Sequence, residues 1–444
     1  METSVVEVLR AKELQRLRKI RQLGLAHLVF PGAEHSRLVH SLGAAYLAVR
    51  FARQLSHATS EFLIPTLRPS ESSVRDLAVA ALCHDLGHGP LSHVWEKNVI
   101  GEDFDRRAWA NALGVDISDS DLQQRKWHEL VGQALLAWPE GELHRILENQ
   151  ELNSSDRIRQ LLMGHYYIPY LARLLSSDVD LDRADFLLRD AHQTGAVYGR
   201  FDLNWLLSTA TVGETPLGRL TVGFDSRKAP PVIEQFLVAR RAMYHTVYLH
   251  KTVRAAEAMM SLLLKRLQLV MRERDLAVDS RLFAPFRKVI RGEPLSPPEV
   301  LGLDDYSLWV FIQQLSEAEG IDITVADLAR RIVARDLFKL VPCAPKRLCA
   351  FIVQPGAYER LHHVLTAYTR GDAQYYVYVD ESSFEILCPD EQNWSYFVDS
   401  DTRRAYPIRD HERIQQYRRQ PETLMRLFAP REAIEDIAKL VESG

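Results

Sequence analysis

The chain has 444 residues, of which 46% are hydrophobic and 26% charged. These are ordinary globular values, and they exclude extended disorder, collagen-like repeats and a coiled-coil rod. Lysine plus arginine number 55 against 59 aspartate plus glutamate, a net charge of −4, so no overall basic field exists to hold nucleic acid non-specifically.

Four cysteines (Cys83, Cys343, Cys349, Cys388) are too few for a disulfide framework. The charged N-terminus and the absence of a long apolar run argue against a signal peptide and a membrane span, so a cytoplasmic location with no membrane partner is expected. In chain order, VVEVLRAKELQRLRKIRQLG, SLGAAYLAVRFARQL and VRDLAVAALCHDLG repeat apolar residues at three- and four-residue steps, which predicts helices to about residue 212. TPLGRLTVGFD, 215–225, alternates as one arm of a hairpin, and a long helix is expected over about 231–272. Turn-rich RGEPLSPPEV, 291–300, precedes more helix to about 341. Beyond Pro342 the composition shifts: CAFIVQP, QYYVYVD and WSYFVDS read as short strands, YERLHHVLTAY and REAIEDIAKLVES as helices. The expected fold is mainly α, with a helical domain over 1–341 (core about 14–212, hairpin and long helix 215–272) and a small α/β region over 342–444.

The chemistry concentrates in CHDLGHGPLSHVWE, residues 83–96. His84 and His88 are spaced to share a helix face, with Asp85 about a quarter-turn away. A single histidine is usually an ordinary core or surface residue. Three in ten positions beside an aspartate suggest ligands for a divalent cation. Upstream, FPGAEHSRLVHSLG offers His35, and Arg37 and His40 on one side of a helix beginning near Ser36. Downstream, SSDVDLDRADFLLRDAHQTG offers Asp178, Asp180, Asp182, Asp185 and Asp190, a run that also reads as the acidic start of a solvated helix.

Taken in order, QRLRKIRQLGLAHLVFPGAEHSRLVHSLG, CHDLGHGPLSHVWE, WHEL and DVDLDRADFLLRDAHQTG resemble the HD-domain superfamily of metal-dependent phosphohydrolases. The closest branch is the deoxynucleoside triphosphate triphosphohydrolases, and the similarity runs from about Leu14 to about Leu340. The resemblance implies an all-helical HD core and a divalent cation (manganese, magnesium, iron, zinc or nickel) on His40, His84, Asp85 and Asp182. Such a cation would acidify a water and polarise the α-phosphoryl group, giving a deoxynucleoside and inorganic triphosphate. His93, backed by Glu96, matches the family's proton donor to the leaving oxygen. His88, and His128 followed by Glu129, match positions lining the phosphates. Arg37, Arg183 and Arg240 match phosphate contacts. Tyr248 matches the residue packed on the sugar, Asp190 the acceptor of the 3′ hydroxyl, and Gln22 and Leu23 the sugar and base contacts.

Two positions depart from the family: Phe186 replaces a tyrosine that reaches a phosphate, and Tyr244 stands where a member has histidine. By spacing, Arg240, Tyr244, Tyr248 and Lys251 lie on one helix face. The resemblance also implies a homo-oligomer, a dimer or higher. Two other readings are an HD phosphohydrolase acting on another nucleotide or a single-stranded nucleic-acid end, and a nucleotide-sensing protein with vestigial hydrolysis. Of the remaining histidines, His35 is expected to order its loop, and His165 and His192 to be supporting or surface groups. Acids interleave with the C-terminal aromatics, which disfavours a nucleic-acid face there.

Overall fold

Helices Arg37–Ala58 and Glu71–Cys83 pack lengthwise and form the spine of the fold. Both helices bury small residues, Ala44, Ala48 and Ala52 on the first and Ala80 and Ala81 on the second, which let neighbouring helices approach, and Phe51, Leu55 and Leu77 are buried with them. The computed structural model describes residues 3–59, 61–101, 104–273, 283–417 and 421–443. Helix Leu181–Thr194 crosses the first spine helix, and helices Trp127–Ala137 and Ser154–Met163 complete the wall around the end of the second. The molecule is mainly α, a helical core with a small α/β C-terminal region, as the sequence predicts.

Among the described residues seven strands form two small sheets. In the first, β1 (Ala210–Glu214) and β2 (Leu220–Asp225) make an antiparallel hairpin with Ala210 opposite Phe224. The second, of order β3-β7-β4, joins β3 (Lys339–Leu340), β4 (Tyr378–Phe384) and β7 (Glu422–Ala429) in antiparallel pairs. The first sheet continues through β5 (Tyr396–Val398), parallel to β2, to β6 (Ala405–Pro407). Strands from both sides of Pro342 therefore share both sheets, and the composition shift there is not a break in the packing.

Several elements differ from the sequence reading. The helix expected over 231–272 is two, Pro230–Met243 and Lys251–Glu273, separated by a π turn at Tyr244–Tyr248. The single periodic run of apolar residues hides this break, because a π turn inserts one residue without interrupting the apolar pattern. The hairpin arm at 215–225 is shorter than expected, since Gly218, at φ 73°, belongs to the turn. CAFIVQP is the end of helix Pro345–Ile352 rather than a strand: Pro345 starts it and Leu348 and Phe351 face inward. The strand β7, in PETLMRLFAP, was not expected. The opening helical run breaks into Thr3–Arg10, Lys12–Gln15 and a 3-10 turn at Arg16–Lys19.

Candidate active site

The segment 84–92 is not helical. Helix Glu71–Cys83 stops with His84 as its last cap, and the chain then turns through Gly87 and Gly89. A Cβ on Gly87 would lie 1.9 Å from the His128 carbonyl oxygen, so only glycine lets this loop lie against helix Trp127–Ala137. The fully buried Arg16 guanidinium holds the loop by donating to the carbonyls of Leu86 and His88, both at 2.8 Å. Leu91 and Ser92 have φ of 53° and 51°, a costly conformation for L side chains. Two contacts pin them: Leu91 N donates to Asp305 at 2.8 Å, and Arg37 Nε donates to Ser92 Oγ at 2.8 Å. Because the helix ends early, His84 and His88 do not share a helix face as their spacing predicts; the loop instead brings both Nε2 atoms to 3.4 Å from Asp85 Oδ1.

His40, His84, Asp85 and Asp182 converge. His40 Nε2 lies 3.2 Å from His84 Nε2, 2.9 Å from Asp182 Oδ1 and 3.8 Å from Asp85 Oδ2. His84 Nε2 is 3.5 Å from Asp182 Oδ1 and 3.4 Å from Asp85 Oδ1. Both imidazoles have their other nitrogen committed as a donor, His40 Nδ1 to Asp185 at 2.8 Å and His84 Nδ1 to the Ala81 carbonyl at 2.7 Å. Their Nε2 lone pairs thus face two carboxylates and each other, a donor set that fits a divalent cation of intermediate hardness. Burial alone would lower the His40 pKa, yet the hydrogen bonds to Asp182 and Asp185 and the charge of Asp85 push it up to about 10. The pocket draws in positive charge. Burial likewise opposes ionisation of Asp85 and Asp182, but Arg37 chiefly for the first and His40 and His84 for the second hold both well below the usual carboxylate range.

Next to this centre lies a second cluster. Glu96 accepts from His88 Nδ1 at 2.9 Å and His128 Nδ1 at 2.7 Å, and the two rings stack 4.0 Å apart. The expected pairing of His93 with Glu96 is not the one formed, because the chain enters a π turn at Glu96–Ile100 that aims Glu96 at the other two rings. His93 is exposed to the cavity, 5.3 Å edge-on to His88, and the surrounding cavity walls, with the charges of His88 and Arg37, lower its pKa. Glu129 caps the start of its own helix by accepting from Lys126 N at 3.3 Å, away from His128. Among the described residues the only two π turns begin at Glu96 and Tyr244, both at this site.

A cavity of about 2360 Å³ opens from the two clusters. Gln22, Leu23, Arg37, Arg183, Phe186, Asp190, Tyr244 and Tyr248 line it, with His84, Asp85, His88, His93, His128, Glu129 and Asp182. His40, Glu96 and Arg240 stand behind the lining. Asp190 accepts from Tyr248 Oη at 2.9 Å and from His35 Nε2 at 2.8 Å, so His35 supports a lining residue rather than its loop alone. Arg37 is tied to Asp85 at 2.6 Å, and Arg183 to Asp180 and the Ser177 carbonyl. Arg240 differs: it is 7% exposed and its Nε and one terminal nitrogen have no partner. Burial, then the charge of Arg183, lowers its pKa. The face expected to unite Arg240, Tyr244, Tyr248 and Lys251 is broken by the π turn, which leaves Lys251 exposed at the start of the next helix. His165 is exposed, 3.6 Å from Asp121.

Sequence reasoning missed Asp185, Arg16 and Asp305 as parts of this site. Asp185 was one acid among five, and only its place one helical turn after Asp182, on the side facing His40, distinguishes it.

Residues 37–162 match the family model described as HD domain. That span holds every histidine of the two clusters, while Asp182 lies beyond it. The chain is 29% identical over 392 residues to the uncharacterized protein YwfO of Bacillus subtilis, covering 87% of this chain and 78% of that one. It is 32% identical over 225 residues to deoxynucleoside triphosphate triphosphohydrolase SAMHD1 of Bos taurus, covering 47% of this chain and 36% of that one. With SAMHD1 of Homo sapiens it is 29% identical over 264 residues, and spans 41% of that protein's length. Among solved structures, a phosphohydrolase from Bacteroides thetaiotaomicron shares the fold with a TM-score of 0.72 at 23% identity, covering 96% of this chain and 95% of the other.

Proposed function

We propose that this chain, which carries an HD domain, hydrolyses deoxynucleoside triphosphates at the α-phosphorus, releasing a deoxynucleoside and inorganic triphosphate. The observation that carries the reading is the buried, half-unpartnered Arg240 guanidinium beside Arg183, next to the convergent His40, His84, Asp85 and Asp182. A buried cation without a partner is costly unless an anion arrives to meet it. Two adjacent guanidiniums suit a polyphosphate better than one phosphate. The likeness to SAMHD1, named for triphosphohydrolase activity on deoxynucleotides, supports the same substrate class.

A divalent cation on the four ligands would supply Lewis acidity at the α-phosphoryl oxygen and an acidified water. The chain's own residues do the rest. Arg37, bonded to Asp85, holds that carboxylate in place and lends positive charge beside the α-phosphate. The leaving 5′ oxygen needs a proton, and His128, oriented through Nδ1 by Glu96, turns Nε2 away from that carboxylate to deliver one, whereas His88, held by Glu96 in the same way, points Nε2 at Asp85 Oδ1, 3.4 Å away. Asp190 has carboxylate lone pairs left to accept a sugar hydroxyl, and the Tyr248 hydroxyl bonded to it fills the space beside that position. Tyr244 and Phe186 close the apolar side. A homo-oligomer is part of the same proposal, by likeness to the family.

The cavity volume favours one second reading, hydrolysis at a single-stranded nucleic-acid end, since 2360 Å³ exceeds the usual range for a small-molecule site. One experiment separates the two. Each deoxynucleoside triphosphate, each ribonucleotide and a short single-stranded oligonucleotide is incubated with manganese or magnesium and the products are resolved. Intact triphosphate from the deoxynucleotides supports the first reading. Pyrophosphate, orthophosphate or mononucleotides as the sole products overturn it.

A further inference from the structure

Asp185 lies outside the cavity lining and is 7% exposed, yet it sits directly behind His40. We infer that Asp185 is a positioning residue: its carboxylate fixes the His40 imidazole with the proton on Nδ1, which turns the Nε2 lone pair toward the cation. The inference rests on His40 being a metal ligand, as proposed above.

Three observations carry it. The His40 Nδ1 to Asp185 Oδ2 distance is 2.8 Å, and a carboxylate that takes two guanidinium bonds from Arg189 is itself an acceptor, so the proton is on His40. Second, Asp185 is itself locked. Arg189, four residues on and on the same helix face, donates to both oxygens at 2.8 Å, which removes the freedom of the carboxylate to rotate away. Third, the opposing helix makes room for it. A Cβ on Gly43, three residues after His40, would lie 1.8 Å from Asp185 Oδ1 and 2.2 Å from an Arg189 nitrogen. The glycine is the slot through which the carboxylate reaches the ring.

The contrast with the other imidazole is informative. His84 Nδ1 donates to a neutral backbone carbonyl, that of Ala81, within its own helix. A carboxylate behind the ring raises the basicity of the far nitrogen more than a carbonyl does. His40 is thus the stronger donor of the pair. The Asp185–Arg189 pair lies within one helix, so the bond to the His40 ring is the hydrogen bond Asp185 accepts from the opposing helix.

The test measures cation affinity of the full chain stripped of metal, by competition of manganese or zinc with a chelator of known affinity, alongside the melting temperature. Asp185→Asn, which keeps the shape and removes the charge, is expected to weaken binding by about ten- to a hundredfold. Gly43→Ala, which displaces the carboxylate from the opposite side, is expected to weaken it similarly and serves where Asp185→Asn folds poorly. Arg189→Gln, which frees the carboxylate to rotate but leaves its charge beside His40, should lower the melting temperature and weaken binding by only about threefold, less than Asp185→Asn. Wild-type affinity in folded Asp185→Asn protein overturns the assignment, as does an equal loss in Arg189→Gln, which marks a strut. A wild-type protein that binds neither cation overturns the ligand reading of His40 itself, a separate and recognisable result.

Discussion

Phe384, the last residue of strand β4, stacks face to face on Tyr244 with ring centroids 4.7 Å apart and planes 8° from parallel. Through this contact the C-terminal sheet reaches the cavity wall, because Tyr244 in turn meets Tyr248 edge-on at 5.1 Å. Replacing the ring by an aliphatic group keeps most of the buried apolar area and loses the stack, worth about 1 kcal/mol. Phe384→Leu is expected to lower stability by about that amount in denaturant titration and to raise KM several-fold with kcat little changed. An unchanged KM would mean that the C-terminal region only covers the cavity and does not shape it.

Arg240 predicts a trade between stability and binding. Its guanidinium is buried with two nitrogens unpartnered, beside the like charge of Arg183. Arg240→Met removes that desolvated charge while keeping the length of the side chain, so the substrate-free protein should gain about 1 kcal/mol or more. KM for a triphosphate should rise at least about tenfold, the loss of one charge-assisted contact. Melting temperatures without ligand and initial rates across a substrate series give both numbers. A variant less stable than wild type with unchanged KM would assign Arg240 to the core.

The candidate metal set was legible through the family resemblance, which picks one histidine, the His-Asp pair and a distant aspartate out of separate polar motifs, and His40, His84, Asp85 and Asp182 do meet. What periodicity could not supply was where helices stop. The end of the second spine helix at Cys83 and the π turns at Glu96 and Tyr244 each add or remove about a residue of register. Such small changes decide that Glu96 faces His88 and His128 rather than His93. They are set by tertiary contacts, such as Gly87 against the His128 carbonyl, which have no signature in the local pattern. Strand β7 escaped notice for a related reason: ETLMRLFA alternates only in part, and its pairing with both β3 and β4 is what makes it a strand.

Asp305 gives the pH prediction. Burial raises its pKa from 3.8 to about 6, against the lowering effect of the Arg21 and Leu91 amides it accepts from. The folded state therefore keeps a proton that the unfolded chain releases between these two values. The group's contribution to stability is fully present below pH 3.8 and lost as pH rises through about 6, some ~3 kcal/mol in all. Other carboxylates, Asp85 and Asp182 among them, have lowered pKa values and act in the opposite sense. The difference between wild type and Asp305→Asn isolates the one group. In urea titrations from pH 4 to 7 the wild type should lose stability relative to the variant as pH rises; a constant difference would show that Asp305 ionises at its ordinary value when folded.

Glu96 allows the identity of the proton-delivering histidine to be tested without assuming it. Glu96 is bonded to His88 and His128 and not to His93, and although burial opposes its ionisation, the charges and hydrogen bonds of His88 and His128 hold it well below the usual range. Glu96→Gln should lower kcat by about 10²-fold or more with bound metal unchanged, since none of the four ligands is touched. Residues that act as a unit lose activity non-additively, whereas independent ones add. His128→Asn combined with Glu96→Gln should therefore cost little more than either change alone, and His93→Asn combined with Glu96→Gln should cost the product of the two. The reverse pattern in kcat, with metal content checked in each variant, would return the role to His93 and require Glu96 to rotate when substrate binds.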